Sequence, residues 1–380
     1  MTENTAQRPR LALQELSGAF GDLGVFVPFV LAYVTVVKMD AGAVLFGFGV
    51  ALVAAGAAFR TPFPVQPMKA IGAAASVHSM QLISAAAVQA GSLVTGLIWL
   101  LLAFTGLAER IARWVPKGVT LGIVLGLGLA LMLEGIRMMA GEWLLAAPLL
   151  AAAFVLVAAR GPAVMLILLA CGLAYSLWRD PDVLPALQSL HPAFRLPAIS
   201  FSGLGWNELW VGLVVLAIPQ LPLTLGNALV ATVDQNNRLF PDHPVTLRSV
   251  AASTGLINLW SATVGGVPMC HGAGGMAGQV RFGARTGAAP IIFGVFLIVA
   301  ALFFSGSVEA LLRLFPLPVL GVILFLAGSQ LALGICELGP KKSERFVAIT
   351  TAGFCLWNVG IGFAFGLLLR HALRRELVKL

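Results

Sequence analysis

Long apolar runs alternate along the whole chain with short polar breaks that carry proline and glycine, and the runs set the expected elements. A helix crosses the hydrocarbon core of a bilayer with about 20 mostly apolar residues. On that measure spans are expected at 16–37 (span 1), 41–59 (span 2), 82–104 (span 4), 116–133 (span 5), 142–159 (span 6) and 161–178 (span 7). A polar, proline-rich connection runs from Arg179 to Gly205. Beyond it the expected spans are 207–232 (span 8), 246–263 (span 9), 287–304 (span 11), 316–334 (span 12), 344–356 (span 13) and 357–371 (span 14). The last two are short, and one bent hairpin is the alternative reading of them. Segments 67–80 and 268–281 read as short helices with extended leads, spans 3 and 10. Segments 107–115 and 306–314 read as interfacial helices.

Spans 3 and 10 depart most from a lipid-spanning pattern. Pro62, Pro64 and Pro67 each fix φ and remove a backbone donor, and each pushes its predecessor toward extended backbone. The composition turns helical from Met68, Lys69 and Ala70 onward. Gly265 to Gly275, with Pro268, has the same character in the other half. Irregular backbone at membrane depth is tolerated where protein buries it or where it lines a cavity.

Composition fixes the class. The chain has 380 residues, 59% hydrophobic and 11% charged, with a mean hydropathy of +0.95. Soluble domains carry about 25% charge, so this is a multi-pass integral membrane protein. The first ten residues are polar and no cleavage site follows the first apolar segment, so no signal peptide is expected. Cys171, Cys270, Cys336 and Cys355 show no metal-ligand spacing and are expected to be small buried hydrophobes. The net charge of +8 follows topology rather than a nucleic-acid partner: with the N-terminus inside, eighteen basic residues fall on the cytoplasmic side and five outside, with Lys69 in a span. Both termini are therefore expected in the cytoplasm.

Seven spans per half is an odd number, so two copies would be inverted across the membrane, as in many secondary transporters. Pro67-Met68 pairs with Pro268-Met269. Gly21-Asp22 pairs with Gly226-Asn227 in one register, and Pro28 with Pro219 in a rival one. Inverted halves bring the N-termini of the span 3 and span 10 helices toward each other near the midplane. Each end has about four unpaired N–H groups and about half a positive charge, which together make an anion site. Gln66, Lys69, Cys270 and His271 lie on the breaks, and Gln220, Thr224 and Asn227 lie in the polar, proline-bearing span 8. Lys69 and Asp22 are ionisable groups inside spans and functional candidates on that ground. Glu15, Asp234 and Glu337 lie nearer span ends, where solvation is the expectation.

At these residues the chain resembles the molybdate transporter family, a branch of the sulfate permease superfamily. The resemblance rests on Gly21-Asp22-Leu23-Gly24 with Pro28, on Pro64-Val65-Gln66-Pro67-Met68-Lys69, on Pro222 to Ala228, and on Pro268 to Gly275 with Arg281-Phe282-Gly283-Ala284-Arg285. It implies an all-α membrane fold of fourteen segments in a seven-plus-seven inverted repeat, with half-helices in spans 3 and 10. Residues 1–105 and 206–305 would form a core domain, and 106–205 with 306–380 a gate domain. The implied function is molybdate uptake by an elevator-type secondary transporter, without the C-terminal regulatory domain of the sulfate permeases. By position, Gln66, Pro67, Met68 and Lys69 would frame the anion with Met269, Cys270, His271, Gly272 and Ala273. Gln220 stands where relatives often carry an acidic residue, and Tyr33 where they line the pocket with an aromatic one. Sulfate permeases often carry an arginine shortly after the span 10 break. Here that region is Gly274-Gly275-Met276, which leaves Lys69 as the nearest cation.

A dianion entering a negative-inside cell costs about 2.3 kcal/mol per charge per 100 mV. Proton coupling, a symport through Asp22 or His271, is therefore expected. Sulfate or tungstate is the alternative substrate, and an anion channel is a further reading. No Ser/His/Asp set, metal cluster or phosphate loop with a nucleophile points to an enzyme, and no cofactor is implied. Members of the superfamily are often dimers, so a homodimer is among the expectations. A bacterial inner membrane is the expected location.

Overall fold

The computed structural model of the protein describes residues 7–69, 71, 83–112, 116–158, 164–179, 183–188, 191–199, 201, 203–308 and 315–376. Span 1 is not one helix. It divides into α1 (Gln7–Ala19) and α2 (Leu23–Thr35), with a turn at 20–22 closed by Gly21 N–H to the Gly18 carbonyl at 2.9 Å. Helix α3 (Ala41–Phe59) starts where Asp40 accepts from Ala43 N–H at 2.8 Å, an N-cap. It stops at Arg60, whose φ of 59° is left-handed. Strand β1 (Gln66–Pro67) follows. The helix expected over 67–80 lies, apart from Lys69 and Ile71, outside the described residues.

Helices α4 (Ala85–Phe104), α5 (Leu107–Ala112), α6 (Lys117–Met139), α7 (Trp143–Ala158), α8 (Val164–Arg179) and α9 (Val183–Gln188) complete the first half. Helix α6 continues past the expected end at 133 to Met139, and in that added stretch Arg137 pairs with Glu134 at 3.3 Å. The run α10, 206–239, is one continuous helix. It absorbs Pro219 and Pro222 between two π-helical stretches, Gly212–Ala217 and Thr224–Ala231. A proline leaves a carbonyl one turn earlier without its partner, and the wider π turn re-registers the ladder.

Helix α11 (Leu247–Thr263), strand β2 (Met269–Cys270), α12 (Ala273–Arg281), α13 (Ala288–Phe304), α14 (Leu317–Ala332), α15 (Lys342–Trp357) and α16 (Val359–Arg374) follow. Spans 13 and 14 are separate helices. They meet at extended Asn358, which caps α16 by accepting from Ile361 N–H at 3.1 Å. Of the two expected interfacial helices, the first is seen over 107–112, while 113–115 and 309–314 lie outside the described residues. Cys270 and Cys355 are buried as expected, but Cys171 is only half-buried and Cys336 is exposed just beyond α14.

Three close helix pairs carry the architecture: α3 with α13, α4 with α11, and α6 with α14. They are spans 2 with 11, 4 with 9, and 5 with 12. A two-fold axis in the membrane plane exchanges the first two pairs and maps the third onto itself, as an inverted repeat requires. Glycines set the approach of α6 and α14. A Cβ at Gly135 would stand 2.7 Å from the Gly321 carbonyl oxygen, and one at Gly128 would stand 2.7 Å from that of Gly328. Small residues let backbones close in lipid, where no hydrophobic effect drives helices together. Phe26 packs edge-on to Phe48 and Phe293, at 5.0 and 5.2 Å, locking spans 1, 2 and 11 into one cluster.

Candidate functional site

The two extended leads pair with each other. β1 and β2 form an antiparallel two-stranded ladder, with Gln66 opposite Cys270 and Pro67 opposite Met269, and Met68 N–H donates to the Pro268 carbonyl at 3.0 Å. Prolines keep both leads out of helix, so their backbone groups need other partners at this depth. Each lead supplies them to the other. Helix α12 consequently starts at Ala273, later than the expected 268, with Gly272 as an N-cap that has no side chain to close the end.

Gln66 is the centre of the site. It is fully buried, and its Nε2 donates to Asp22 Oδ1 at 2.5 Å. Its Oε1 occupies the space a Cβ at Gly272 would need, with Asn227 Nδ2 3.5 Å from that point. Asp22 Oδ2 comes within 2.8 Å of the Cβ position of Gly275, in the first turn of α12. Lys69 Nζ stands 4.0 Å from the Cβ position of Gly274. Lys69, Asp22 and Cys270 are within electrostatic range of one another. A lysine, a carboxylate, a carboxamide and an open helix N-terminus thus converge. That Asp22 and Asn227 both come to Gln66 fits the register that pairs Gly21-Asp22 with Gly226-Asn227.

The remaining candidates are buried around this centre. Tyr33 is fully buried within electrostatic range of Cys270, and its hydroxyl has no hydrogen-bond partner among the described residues. Gln66 Oε1 and Asn227 Oδ1 are likewise buried without one. Gln220 Nε2 donates to Thr224 Oγ1 at 3.0 Å, one turn on in α10. Met68, Met269, Cys270 and Ala273 are buried. The His271 ring is held on both sides. The Pro64 carbonyl, 2.8 Å from Nδ1, can only accept, so Nδ1 carries the hydrogen. Nε2 then accepts from Ser253 Oγ at 2.9 Å, while Phe63 meets the ring at 4.9 Å. Glu15 is buried rather than solvated and accepts from the backbone of Arg285 and Thr286, at 2.9 and 3.0 Å.

A cavity of about 440 Å³ opens beside this centre. Lys69 lines it together with Gly24, Val25, Pro28 and Phe29 of α2, Leu127, Leu131, Glu134 and Met138 of α6, Leu324 of α14, and Trp357 and Asn358 at the α15–α16 tip. Among the proposed anion contacts Lys69 reaches this lining, and the others stand back from it.

Sequence reasoning missed the brace behind β2. Asn258 in α11 accepts from Met269 N–H at 2.9 Å and donates to the Met269 carbonyl at 2.6 Å. Ser261 donates to the Val267 carbonyl at 2.6 Å. The signal was present as Thr254, Asn258 and Ser261, polar residues at helical spacing in an otherwise apolar span. Glu134 was missed as well, because the expected span stopped short of it.

A family model described as a molybdate transporter of the MFS superfamily matches residues 14–131 and 212–331, one stretch in each half. Molybdate transporter 1 of Arabidopsis thaliana is 30% identical over 406 residues, covering 95% of this chain and 88% of its own. Molybdate transporter 2 of the same plant is 31% identical, covering 93% and 85%. Molybdate transporter 1 of Chlamydomonas reinhardtii is 28% identical, covering 96% and 93%. Among solved structures, the transmembrane domain of the cyanobacterial bicarbonate transporter BicA is similar with a TM-score of 0.52 at 18% identity, over 94% of this chain and 96% of that one. The murine anion transporter Slc26a9 in its inward-facing state is similar with a TM-score of 0.63 at 12% identity, over 100% of this chain and 73% of that one. At these identities the structures speak for the fold alone.

Proposed function

The chain belongs to the family of molybdate transporters, and from that premise we propose that it is a secondary active transporter of a tetrahedral oxyanion, with molybdate as the substrate. The observation that carries this reading is the meeting of Lys69, Gln66 and the uncapped start of α12 beside an open cavity. Helix N–H groups and an ammonium suit a compact dianion. Met68, Cys270, Ala273 and Tyr33 wall the site. His271, Gln220, Thr224 and Asn227 hold its shape, and the Tyr33 hydroxyl is available to donate to the ion.

Transport would proceed by alternating access. Spans 1–4 and 8–11 form a core that carries the site, and spans 5–7 and 12–14 form a gate against which it slides. The cavity lies on the boundary between the two. Moving two negative charges inward against 100 mV costs about 4–5 kcal/mol, so a coupled proton is part of the reading. Asp22 is its carrier. An ionised Asp22 sits at the start of α12, where the substrate would have to bind, and competes with it. Protonation removes that competition. His271 is the weaker carrier, because both its ring nitrogens are already bound. Both termini face the cytoplasm of a bacterial cell in this reading.

The test is uptake into proteoliposomes of the purified chain, with binding titrated for molybdate, sulfate and tungstate in competition. Saturable molybdate binding, and uptake that rises with an inward proton gradient, are expected. Molybdate binding no tighter than sulfate would reassign the substrate. Absence of saturable binding by any of the three would refute the oxyanion reading. Current far above carrier turnover would make the protein a channel.

A further inference from the structure

Contact registers fix the relative direction of the helices. Span 1 meets span 10 antiparallel, with Gly18 against Ala284 and Gly21 against Gly278. α12 meets α14 in parallel, with Gly278 against Ala327 and Arg281 against Gln330. α14 meets α6 antiparallel, with Gly128 against Gly328 and Gly135 against Gly321. Spans 1 and 5 therefore run the same way. The cavity uses Gly24 to Phe29 of the first and Leu127 to Met138 of the second, both beyond the level of Asp22. It thus opens on the side away from the N-terminus. On the N-terminal side, among the described residues, α10 and α12 come against the end of α14.

Two arginines make these contacts, one from each of two core helices. Arg281, the last residue of α12, donates from Nη1 to Gln330 Oε1 at 3.5 Å. Arg238, in the last turn of α10, lays its guanidinium on Gly334, where a Cβ would stand 3.3 Å from Nη1 and 3.5 Å from Nη2. Gln330 lies in the last turn of α14 and Gly334 in the 3-10 turn Leu333–Glu337 that continues it. A helix C-terminus is the negative pole of the helix dipole, and a guanidinium fits it better than an apolar side chain. An apolar seal would also be harder to open to water than a polar one.

We propose that Arg238 and Arg281 form a clamp that closes the N-terminal side of the transport path, and that both must leave α14 before the anion is released there. The proposal rests on the alternating-access reading above. It makes the present conformation the one loaded from the cavity side, and it assigns two positioning residues to the transition out of it. Gly334 matters to this clamp because it lets the Arg238 guanidinium lie flat on the turn.

The test is hydrogen–deuterium exchange on the purified full chain. In the Arg238→Gln/Arg281→Gln variant, exchange is expected to be roughly tenfold faster over 273–281 and 326–337, the size of effect that follows loss of charge-assisted contacts. Exchange over the cavity-lining segments 127–138 and 355–358 is expected to slow at the same time, as that side closes. Gln330→Ala removes the acceptor without touching either arginine. It should shift both regions in the same directions by a smaller factor, and it decides the matter if the double variant does not fold. Unchanged exchange, or faster exchange on both sides, overturns the clamp. Molybdate titrated against the unsubstituted protein keeps the two readings apart: no binding there removes the oxyanion reading, while the opposed exchange pattern still judges the clamp.

Discussion

The carboxamide of Gln66 fills the space that any side chain at residue 272 would need. Gly272 is also the N-cap of α12, so one missing Cβ joins the strand of one break to the helix of the other. Gly272→Ala is expected to push Gln66 off Asp22. The overpacking cost is about 1–3 kcal/mol, read as a lower melting temperature, with molybdate binding weakened at least tenfold. Wild-type affinity in Gly272→Ala would separate Gln66 from the anion site.

Lys69 gives the second prediction. It lines the cavity and stands beside Gly274 in the first turn of α12. A charge-assisted hydrogen bond contributes about 1.5–3 kcal/mol, so Lys69→Ala should weaken molybdate binding by roughly 10- to 100-fold. The fold should survive, because the side chain is only partly buried. Unchanged affinity in a binding titration would mean that the ammonium only reaches for water.

Much of this was legible in the residues. Inverted halves and extended leads at Pro67 and Pro268 followed from proline placement and span parity, although the span 10 helix begins at Ala273 rather than at Pro268 and that of span 3 lies outside the described residues. What was not legible needed partners in three dimensions. The break of span 1 at 20–22 depends on Gly21 meeting the backbone at Gly278. The His271 ring had to be seen against Pro64 and Ser253 before it could be given a structural task. The ladder between the leads was invisible, because two-residue strands carry no periodicity.

Asp22→Asn tests the coupling. The amide mimics a protonated carboxyl, so the variant should bind molybdate at neutral pH at least as tightly as the parent does at lower pH. For the parent, binding should strengthen as pH falls, because protonation removes a competing anion. For the variant that dependence should flatten, and uptake should no longer respond to a proton gradient. Retained gradient-driven uptake would move the coupling elsewhere.

Asn258 is expected to be indispensable to the fold of the site. It serves both the N–H and the carbonyl of Met269. Asn258→Leu leaves two buried backbone groups unpaired, at about 1–3 kcal/mol each. Melting temperature and molybdate affinity should fall together. An unshifted melting curve would show that β2 holds its register through β1 alone.

Glu134 is the odd group at the cavity, a carboxylate on the approach of a dianion. Arg137, one turn on, pairs with it at 3.3 Å, and both are more than half exposed. The pair therefore contributes little to stability, but it sets the local potential that an arriving anion meets. Glu134→Gln leaves Arg137 unopposed and should raise the molybdate association rate several-fold at low ionic strength. Arg137→Gln leaves Glu134 unopposed and should lower it. Both effects should fade near 0.15 M salt, where charges more than about 8 Å apart are screened. Stopped-flow binding across a salt series measures this directly. Rates that ignore both substitutions at low salt would place the anion's route away from the rim of α6.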